Sequence, residues 1–338
     1  MPNTPLEIIA PARRQGVQSA LSTAFGSDEV IALQPLYGGA SDAALYRLER
    51  ADRSYALRLD RIPGSVGNPQ RSYVCMRIAA DAGIAPRLHH ADADSGIAIM
   101  DFVQSRPLHG YPKGRLAFVR ELGELVARLQ ATRLFPPVAN FDAVLAFMFG
   151  QLRSSELFRP GVLDLHHEAF ERLRNAYPWA LESAKSSHND PNPTNILYDG
   201  TRLWLIDWEV AYRNEPLADV ANLALNFDTT LDEDTALMTS WLGQPPDRRL
   251  HARFVVLRQL CRLYYACLAL EGDIGRSHHE SLSDALTRPQ LLAAAASGVW
   301  QPGAPGSMLI LGKSYLDAFS RELNTPALEV ALSELRVG

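Results

Sequence analysis

The sequence predicts an α+β fold in which a small antiparallel sheet comes first and a larger, mostly helical part follows. Short runs of alternating polar and apolar residues, separated by turn residues, fill the stretch from Glu29 to Val103. From Lys113 onward, apolar residues recur at the spacing of amphipathic helices, and one short apolar hairpin near residue 200 interrupts them. We therefore expect an N-terminal lobe, 1–103, and a C-terminal lobe, 104–338.

Composition and charge limit the classes of protein to which the chain can belong. Its 338 residues are 47% hydrophobic and 21% charged, which is typical of a globular protein with a large core. The net charge of −5 and the lack of a basic run predict no nucleic-acid partner. Because no apolar stretch reaches membrane-spanning length and the N-terminus lacks a signal-peptide pattern, we expect a cytoplasmic protein without membrane insertion. Cys75, Cys261 and Cys267 are expected to be reduced, and the oligomeric state is left open.

The first predicted strands carry a glycine turn and a cation. The Gly38-Gly39 pair either lets backbone N–H groups approach a phosphate closely or simply turns a hairpin. In the next strand, SYALRLD, alternation places Ala56 and Arg58 on one face, where Arg58 is either a ligand-facing cation or a solvent-facing edge charge. The opposite, apolar face carries Tyr55, Leu57 and Leu59.

Capping residues and helical spacing predict the remaining elements. Asn68-Pro69 marks the start of a helix that ends at Gly83, and two strands follow it up to Val103. Further helices are expected at 113–130, in FDAVLAFMFGQLR and HHEAFERLRNAY, and after residue 230 in DEDTALMTSWLG and ARFVVLRQLCRLYYACLALEG.

The stretch from Ser187 to Ala224 concentrates the polar residues that could carry chemistry. NILY and RLWLID have the pattern of two strands, and Asp199-Gly200 between them predicts a two-residue hairpin turn. Around this hairpin lie five polar side chains: Asp190, Asn195, Asp207, Glu209 and Asp219.

The predicted register of this hairpin brings oxygen ligands together. With a two-residue turn, Asp207 lies near Asn192, beside the loop that holds Asp190 and Asn195; a longer turn would shift it by a residue or two. Two carboxylates and an amide suit Mg²⁺ better than zinc or copper, because Mg²⁺ prefers oxygen ligands and shares its coordination with phosphates. The alternative is a surface hairpin with solvated carboxylates.

The order H-x-D-x-x-x-x-N, followed by an apolar strand that ends in I-D-W-E, resembles the catalytic and metal-binding segments of the kinase-like small-molecule phosphotransferases. These include aminoglycoside phosphotransferases and choline/ethanolamine kinases. The resemblance covers roughly residues 30–270 and is sharp at 187–224. It implies a protein-kinase-like bilobal fold, with one main helix beside the nucleotide-binding sheet and the substrate pocket in the helical lobe. It also implies ATP- and Mg²⁺-dependent transfer of the γ-phosphate to the hydroxyl of a small molecule.

The resemblance implies a role for each residue of the catalytic segment. Asp190 would orient the substrate hydroxyl, while Asn195 and Asp207 would bind Mg²⁺. Asp219 would brace the catalytic loop from the helix that follows. His188 would be either a structural residue that holds the loop or a general base.

The same resemblance implies how the N-terminal lobe would bind ATP. Gly38-Gly39 would cover the phosphates, Arg58 would neutralise their oxygens, and Ala56 would lie against the adenine. The adenine edge would be read by backbone groups of three residues: Asp101, Phe102 and Val103.

Details of the motif favour a cationic alcohol as the substrate. The IDWE ending and an arginine at the strand position are typical of the choline/ethanolamine-kinase-like branch. Candidate substrate contacts are Trp208 and Glu209, which follow Asp207, and Tyr264 and Tyr265, since aromatic faces attract quaternary ammonium groups. Glu209 could instead contact the metal or be a charge at the pocket wall, and core packing is the alternative for the tyrosines. The alternative acceptor is an aminoglycoside or another sugar-like alcohol.

One departure from the family pattern favours a different class of protein. Family members place a Glu on the first helix of the sheet lobe to pair with the strand cation. No acidic residue occurs here between Asp60 and Asp81, so the partner is missing or comes from elsewhere. A nucleotide-binding protein with impaired catalysis is therefore the second hypothesis.

Overall fold

The computed structural model describes residues 5–36, 43–60, 69–276, 279–301 and 303–336. The predicted glycine turn at Gly38-Gly39 and the predicted helix cap at Asn68 lie outside the described residues.

Eleven helices and nine strands of the described residues are numbered here in chain order. They are α1 Pro11–Phe25, β1 Ala32–Leu36, β2 Ala44–Glu49, β3 Ser54–Leu59, α2 Pro69–Asp81, β4 Leu88–Asp92, β5 Ile97–Asp101, α3 Arg115–Gln130, α4 Phe141–Ser154, α5 Asp164–Ala176, β6 Lys185–Ser187, β7 Ile196–Tyr198, β8 Leu203–Leu205, β9 Tyr212–Asn214, α6 Ala218–Asn226, α7 Leu231–Leu242, α8 Arg248–Leu270, α9 Arg288–Ala296, α10 Ser307–Glu322 and α11 Pro326–Arg336.

The chain divides into two compact units. The first comprises Met1–Pro137 and Lys185–Arg213, and the second comprises Val138–Ala184 and Asn214–Gly338. The hairpin of β7 and β8 therefore belongs to the same unit as the N-terminal sheet. The lobe boundary after Val103 stays a prediction.

A five-stranded antiparallel sheet forms the centre of the first unit, in the order β1-β2-β3-β5-β4. Because strand side chains alternate, one face of β3 packs with α1 in a buried core that includes Val17, Leu21 and Leu57. Tyr55 and Leu59 lie in this same core, so the predicted alternation of β3 is confirmed.

The other face of β3 carries the residues that the sequence assigns to a ligand. Ala56 is paired with Met100 of β5, and Arg58 is paired with Ala98. Arg58 is only 5% exposed, so it is a buried cation rather than an edge charge in solvent. A buried charge requires partners of opposite sign.

The turn between β7 and β8 is longer than predicted. Tyr198 pairs with Leu203, and four residues therefore separate the strands where the sequence predicts two. The carboxylate of Asp199 explains the difference, because its Oδ1 accepts hydrogen bonds from the N–H groups of Thr201 (2.7 Å) and Arg202 (2.9 Å). This side-chain cap favours a wider turn than the Asp-Gly pair alone would form.

Helix α8 forms the centre of the second unit. It contacts α4, α5, α6, α10 and α11. Asp247 begins it by accepting a hydrogen bond from the N–H of Leu250 at 2.7 Å, as an N-cap residue does. Among the described residues, no helix combines the length and the hydropathy that a membrane crossing requires.

Candidate active site

His188 connects the loop before β7 to Ile206, the residue that follows β8. Its ring is completely buried, its Nε2 donates to the carbonyl of Ile206 at 2.8 Å, and the ring lies 4.7 Å from that of Trp208. Because a carbonyl can only accept, Nε2 carries a hydrogen. This geometry supports the structural alternative for His188, in which it positions the loop.

Asp190 is held in place by two amide side chains of the same loop. The Nδ2 of Asn192 lies 3.0 Å from each carboxylate oxygen, and the Nδ2 of Asn195 donates to Oδ2 at 3.2 Å. The Asn195 amide also donates to the Asp190 carbonyl at 3.0 Å. Since both Asn195 bonds use its NH₂ group, the acceptor end of this amide points away from Asp190.

Asp207 follows Ile206, whose N–H and carbonyl groups both form hydrogen bonds with this loop. The N–H of Ile206 donates to the carbonyl of Asn195 at 3.0 Å, and its carbonyl accepts from His188. Asp207 itself has φ = 65°, a left-handed conformation that costs an L-residue about 1 kcal/mol or more. These hydrogen bonds bring Asp190, Asn195 and Asp207 to one end of the hairpin.

Arg58 reaches this end of the hairpin from the sheet. Its Nε lies 2.8 Å from Oδ1 of Asp60, its Nη1 lies 3.3 Å from Oδ1 of Asp207, and its Nη2 contacts the carboxylate of Glu209. Burial lowers the pKa of Arg58, but the three carboxylates outweigh it and raise the pKa above its ordinary value. The cation is therefore permanent and ion-paired.

Helix α2 contacts the segment after Asp207 without supplying a carboxylate. The Nη2 of Arg71 donates to the carbonyl of Glu209 at 2.7 Å, and the thiol of Cys75 lies 3.5 Å from the carbonyl of Ala211. The Glu209 side chain contacts Arg58 and is 44% exposed.

Two backbone N–H groups of the candidate adenine-reading segment already donate hydrogen bonds within the first unit. The N–H of Asp101 donates to the carbonyl of Arg87 at 2.9 Å, and the N–H of Phe102 donates to that of Ser54 at 3.4 Å. Val103 is the next residue of the segment and is partly buried. The N–H of Val103 is therefore the main candidate to donate a hydrogen bond to the edge of a nucleotide base.

Trp208 lies between Asp207 and Glu209 in sequence, and its side chain is buried. It is 2% exposed, and its ring lies edge-on to that of Phe135 at 5.9 Å, in addition to its contact with His188. A side chain so enclosed supports its neighbours, and its predicted contact with a substrate stays a prediction.

Tyr264 and Tyr265 lie on α8 in the second unit. Both are buried; the Tyr264 ring lies 5.5 Å from that of Phe141, and the Tyr265 ring is stacked on that of Tyr315 at 5.6 Å. These contacts show packing among helices, and the predicted substrate role of the two tyrosines stays a prediction.

Asp219 is completely buried in the first turn of α6, where a helix N-terminus favours a carboxylate.

The donor set around Asp207 fits Mg²⁺. The described residues contain no group of three or more His, Cys, Asp or Glu side chains arranged for a metal ion. Mg²⁺ is commonly held instead by one or two protein oxygens together with phosphates and water. Asp207 supplies a carboxylate that already contacts one cation, Arg58, and Asn195 supplies an amide oxygen directed away from Asp190.

The sequence pattern of the phosphotransferase enzyme family (APH) matches residues 32–253, which is more than half of the chain. The chain belongs to this family. No curated protein matches the sequence of this phosphotransferase at a significant level.

Solved structures show that this phosphotransferase has a protein-kinase-like fold. A choline/ethanolamine kinase family protein from Mesorhizobium loti superimposes with a TM-score of 0.70 at 21% identity, covering 96% of this chain and 100% of its own. The choline kinase LicA from Streptococcus pneumoniae gives 0.64 at 14% identity, covering 92% and 99%. A spectinomycin phosphotransferase gives 0.54 at 13% identity, covering 95% and 98%. The predicted fold class and family are confirmed.

Sequence reasoning missed three side chains of the candidate site. Asp60 could have been found, because alternation along β3 places it two residues beyond Arg58 on the same face. Asn192 and Arg71 act through contacts that depend on the folded loop and helix, and no periodic pattern indicates them.

Proposed function

We propose that this phosphotransferase uses ATP and Mg²⁺ to phosphorylate the hydroxyl group of a small, cationic alcohol of the choline or ethanolamine type. The observation that carries the proposal is the hydrogen-bonded connection from Asp190 through Asn195 and Ile206 to Asp207. It supports the proposal because phosphoryl transfer needs a carboxylate that orients the hydroxyl close to one that binds the metal, the roles that we propose for Asp190 and Asp207.

Asp190 would accept a hydrogen bond from the acceptor hydroxyl and orient its oxygen toward the γ-phosphorus. The acceptor oxygen forms a bond to this phosphorus while the bond to the bridging oxygen of ADP breaks, and the hydroxyl proton passes to Asp190. Mg²⁺, bound by Asp207 and Asn195, would neutralise negative charge on the phosphates. Arg58 would stabilise the same oxygens, and His188 would hold the loop.

We propose that the remaining nucleotide contacts come from the N-terminal part of the chain. Gly38-Gly39 would cover the phosphates, and Ala56 would lie against the adenine. Val103, with Asp101 and Phe102 as its support, would read the base edge.

A cationic acceptor is supported by charge and by the similarity to choline/ethanolamine kinases. Arg58, Asp60, Asp207 and Glu209 together carry a formal net charge of −2, which attracts cations to this end of the sheet. Glu209, whose side chain is 44% exposed, is the contact that we propose for an ammonium group.

Two observations keep the alternatives open to test. The fold similarity to a spectinomycin phosphotransferase supports an aminoglycoside or another sugar-like alcohol as acceptor. The lack of an acidic residue in α2 before Asp81 supports a nucleotide-binding protein with impaired catalysis.

The test is an acceptor screen by coupled ADP release, with choline, ethanolamine and spectinomycin in parallel and Asp190→Ala as the control. We expect Mg²⁺-dependent ADP release with choline or ethanolamine that Asp190→Ala abolishes. Release with spectinomycin alone would establish the aminoglycoside alternative. Nucleotide binding without release on any acceptor would establish the impaired-catalysis alternative.

A further inference from the structure

Among the described residues, three carboxylates contact Arg58, and they differ in what else we expect them to bind. Asp207 and Glu209 lie on the segment that, in the proposed function on which this inference rests, meets Mg²⁺ and substrate. A carboxylate that turns toward a divalent ion interacts less with the guanidinium. Asp60 lies at the end of the sheet, outside that segment, and its contact with Nε of Arg58 does not compete with the metal.

Asp60 is fixed on both sides of its main chain. Its N–H donates to the carbonyl of Gly96 at 2.9 Å, and its own carbonyl accepts from Nη1 of Arg13 at 2.7 Å. Arg13 also donates to the carbonyls of Ser95 (2.8 Å) and Gly96 (3.0 Å). Helix α1 and the turn before β5 thus hold Asp60 where it is, and its side chain is only 13% exposed.

Helix α2 contributes a buried tyrosine next to this carboxylate. Tyr73 of α2 is buried, and burial together with the negative charge of Asp60 raises the pKa of Tyr73. The phenol of Tyr73 therefore stays neutral beside Asp60. A carboxylate at the same position of α2 would repel the Asp60 carboxylate. The one acidic residue of α2, Asp81, is exposed at the last position of the helix, and no residue from 61 to 80 is acidic.

We propose that Asp60 is the positioning residue for Arg58: it holds the guanidinium by Nε and directs Nη1 and Nη2 toward the nucleotide phosphates. The guanidinium is planar, so a fixed bond at Nε fixes the direction of its two remaining nitrogens. Without this bond, Arg58 keeps its charge but loses its orientation.

The test compares Asp60→Asn and Asp60→Ala with Asp81→Asn, which removes one exposed negative charge from the end of α2. We expect the KM for ATP, and the Kd for a non-hydrolysable ATP analogue, to rise about tenfold in Asp60→Ala and less in Asp60→Asn, which keeps an acceptor near Nε. Asp81→Asn should leave both constants within a factor of two. Unchanged constants in both Asp60 variants would overturn the proposal.

A double-mutant cycle decides whether Asp60 acts through Arg58. In an Arg58→Met background, Asp60→Ala should produce less than a twofold further rise in the Kd of the analogue. A full additional tenfold rise would mean that Asp60 contacts the nucleotide or supports the fold directly, and would overturn the positioning role.

A measurement without nucleotide separates this inference from the proposed function. The Nε–H signal of Arg58 in the proton–nitrogen NMR spectrum should exchange slowly with water in the wild type and quickly in Asp60→Ala. An equally slow signal in both proteins would contradict the role of Asp60. Absence of turnover in the wild type, with the expected difference in this signal, would overturn the proposed function alone.

Discussion

Arg58 joins two parts of the first unit that lie far apart in sequence, since 149 residues separate it from Asp207. Its burial would be costly if it were alone, and three carboxylates offset that cost. They leave an excess of negative charge, which favours the approach of a divalent cation rather than of a free anion. The nucleotide is therefore expected to bind as its Mg²⁺ complex.

Asp190 is the residue whose removal should separate chemistry from binding. Asp190→Ala deletes the carboxylate that orients the acceptor, and we expect kcat to fall by about 100-fold or more, in the range measured for general bases. The Kd for a non-hydrolysable ATP analogue, measured by calorimetry, should stay within about threefold, because Asp207, Asn195 and Arg58 remain.

Asn192→Ala is the matched control for this variant, since it removes a hydrogen-bond donor to Asp190 but leaves the carboxylate. It should lower kcat less than Asp190→Ala does. Retention of transfer in Asp190→Ala would remove Asp190 from its proposed role.

At the scale of one element, the hairpin of β7 and β8 depends on the carboxylate of Asp199. Besides the turn amides, it accepts from the hydroxyl of Thr201 (2.7 Å) and from the indole N–H of Trp204 (2.8 Å). Burial raises the pKa of Asp199, but these hydrogen bonds outweigh it and hold the pKa well below its usual range.

We expect Asp199→Ala to lower the free energy of unfolding by about 1–3 kcal/mol, because several polar groups lose their acceptor. Thr201→Val, which removes one hydroxyl only, should cost less. Because the pKa is depressed in the folded state, the contribution of Asp199 is complete above the pKa of the unfolded chain, about 4, and is lost as pH falls below it. Urea titrations at pH 7 and pH 3 measure this; an equal loss at both would contradict it.

The same hairpin shows what sequence patterns predict and what they leave open. Alternation predicted both faces of β3, and the Asp-Gly pair located the turn between β7 and β8, since both signals are local. The turn length was wrong because the Asp199 side chain caps the turn, an interaction that the dipeptide rule does not include.

At the scale of the whole molecule, stability depends on a buried ion pair in the second unit. Glu215 is 4% exposed, and its Oε1 accepts from Nη2 of Arg253 at 2.8 Å. Burial raises the pKa of Glu215, while Arg253 opposes this rise. Removing Arg253 leaves a buried carboxylate without its charge partner.

We expect Arg253→Met to lower the free energy of unfolding by about 3 kcal/mol at pH 8. In the variant, the folded-state pKa of Glu215 rises further, so the folded state binds a proton more tightly than the unfolded chain does. Stability is then regained as pH falls through this raised pKa, and lost as pH rises through it. The difference from the wild type should therefore shrink between pH 8 and pH 5.

Glu215→Gln combined with Arg253→Met is the control, because it removes the charge that Arg253 neutralises. Its stability should vary less with pH than that of Arg253→Met alone. A deficit of Arg253→Met that is the same at pH 5 and pH 8 would contradict this account of Glu215.

The family and the fold class could be predicted for the whole molecule because one motif fixes several polar positions around a hairpin. Contacts between segments that are distant in sequence could not be predicted. The meeting of Arg58 with Asp207, and the anchoring of Asp60 by Arg13, depend on how the sheet, α1 and the hairpin pack together. No spacing in the sequence records these distances.

The most direct test of the account is a calorimetric titration of a non-hydrolysable ATP analogue, with and without Mg²⁺, into the wild type and Asp207→Ala. We expect Mg²⁺ to tighten binding to the wild type by about tenfold or more and to leave the affinity of Asp207→Ala unchanged. An equal Mg²⁺ effect on both proteins would contradict the assignment of Asp207 as the metal ligand and the phosphotransfer site built around it.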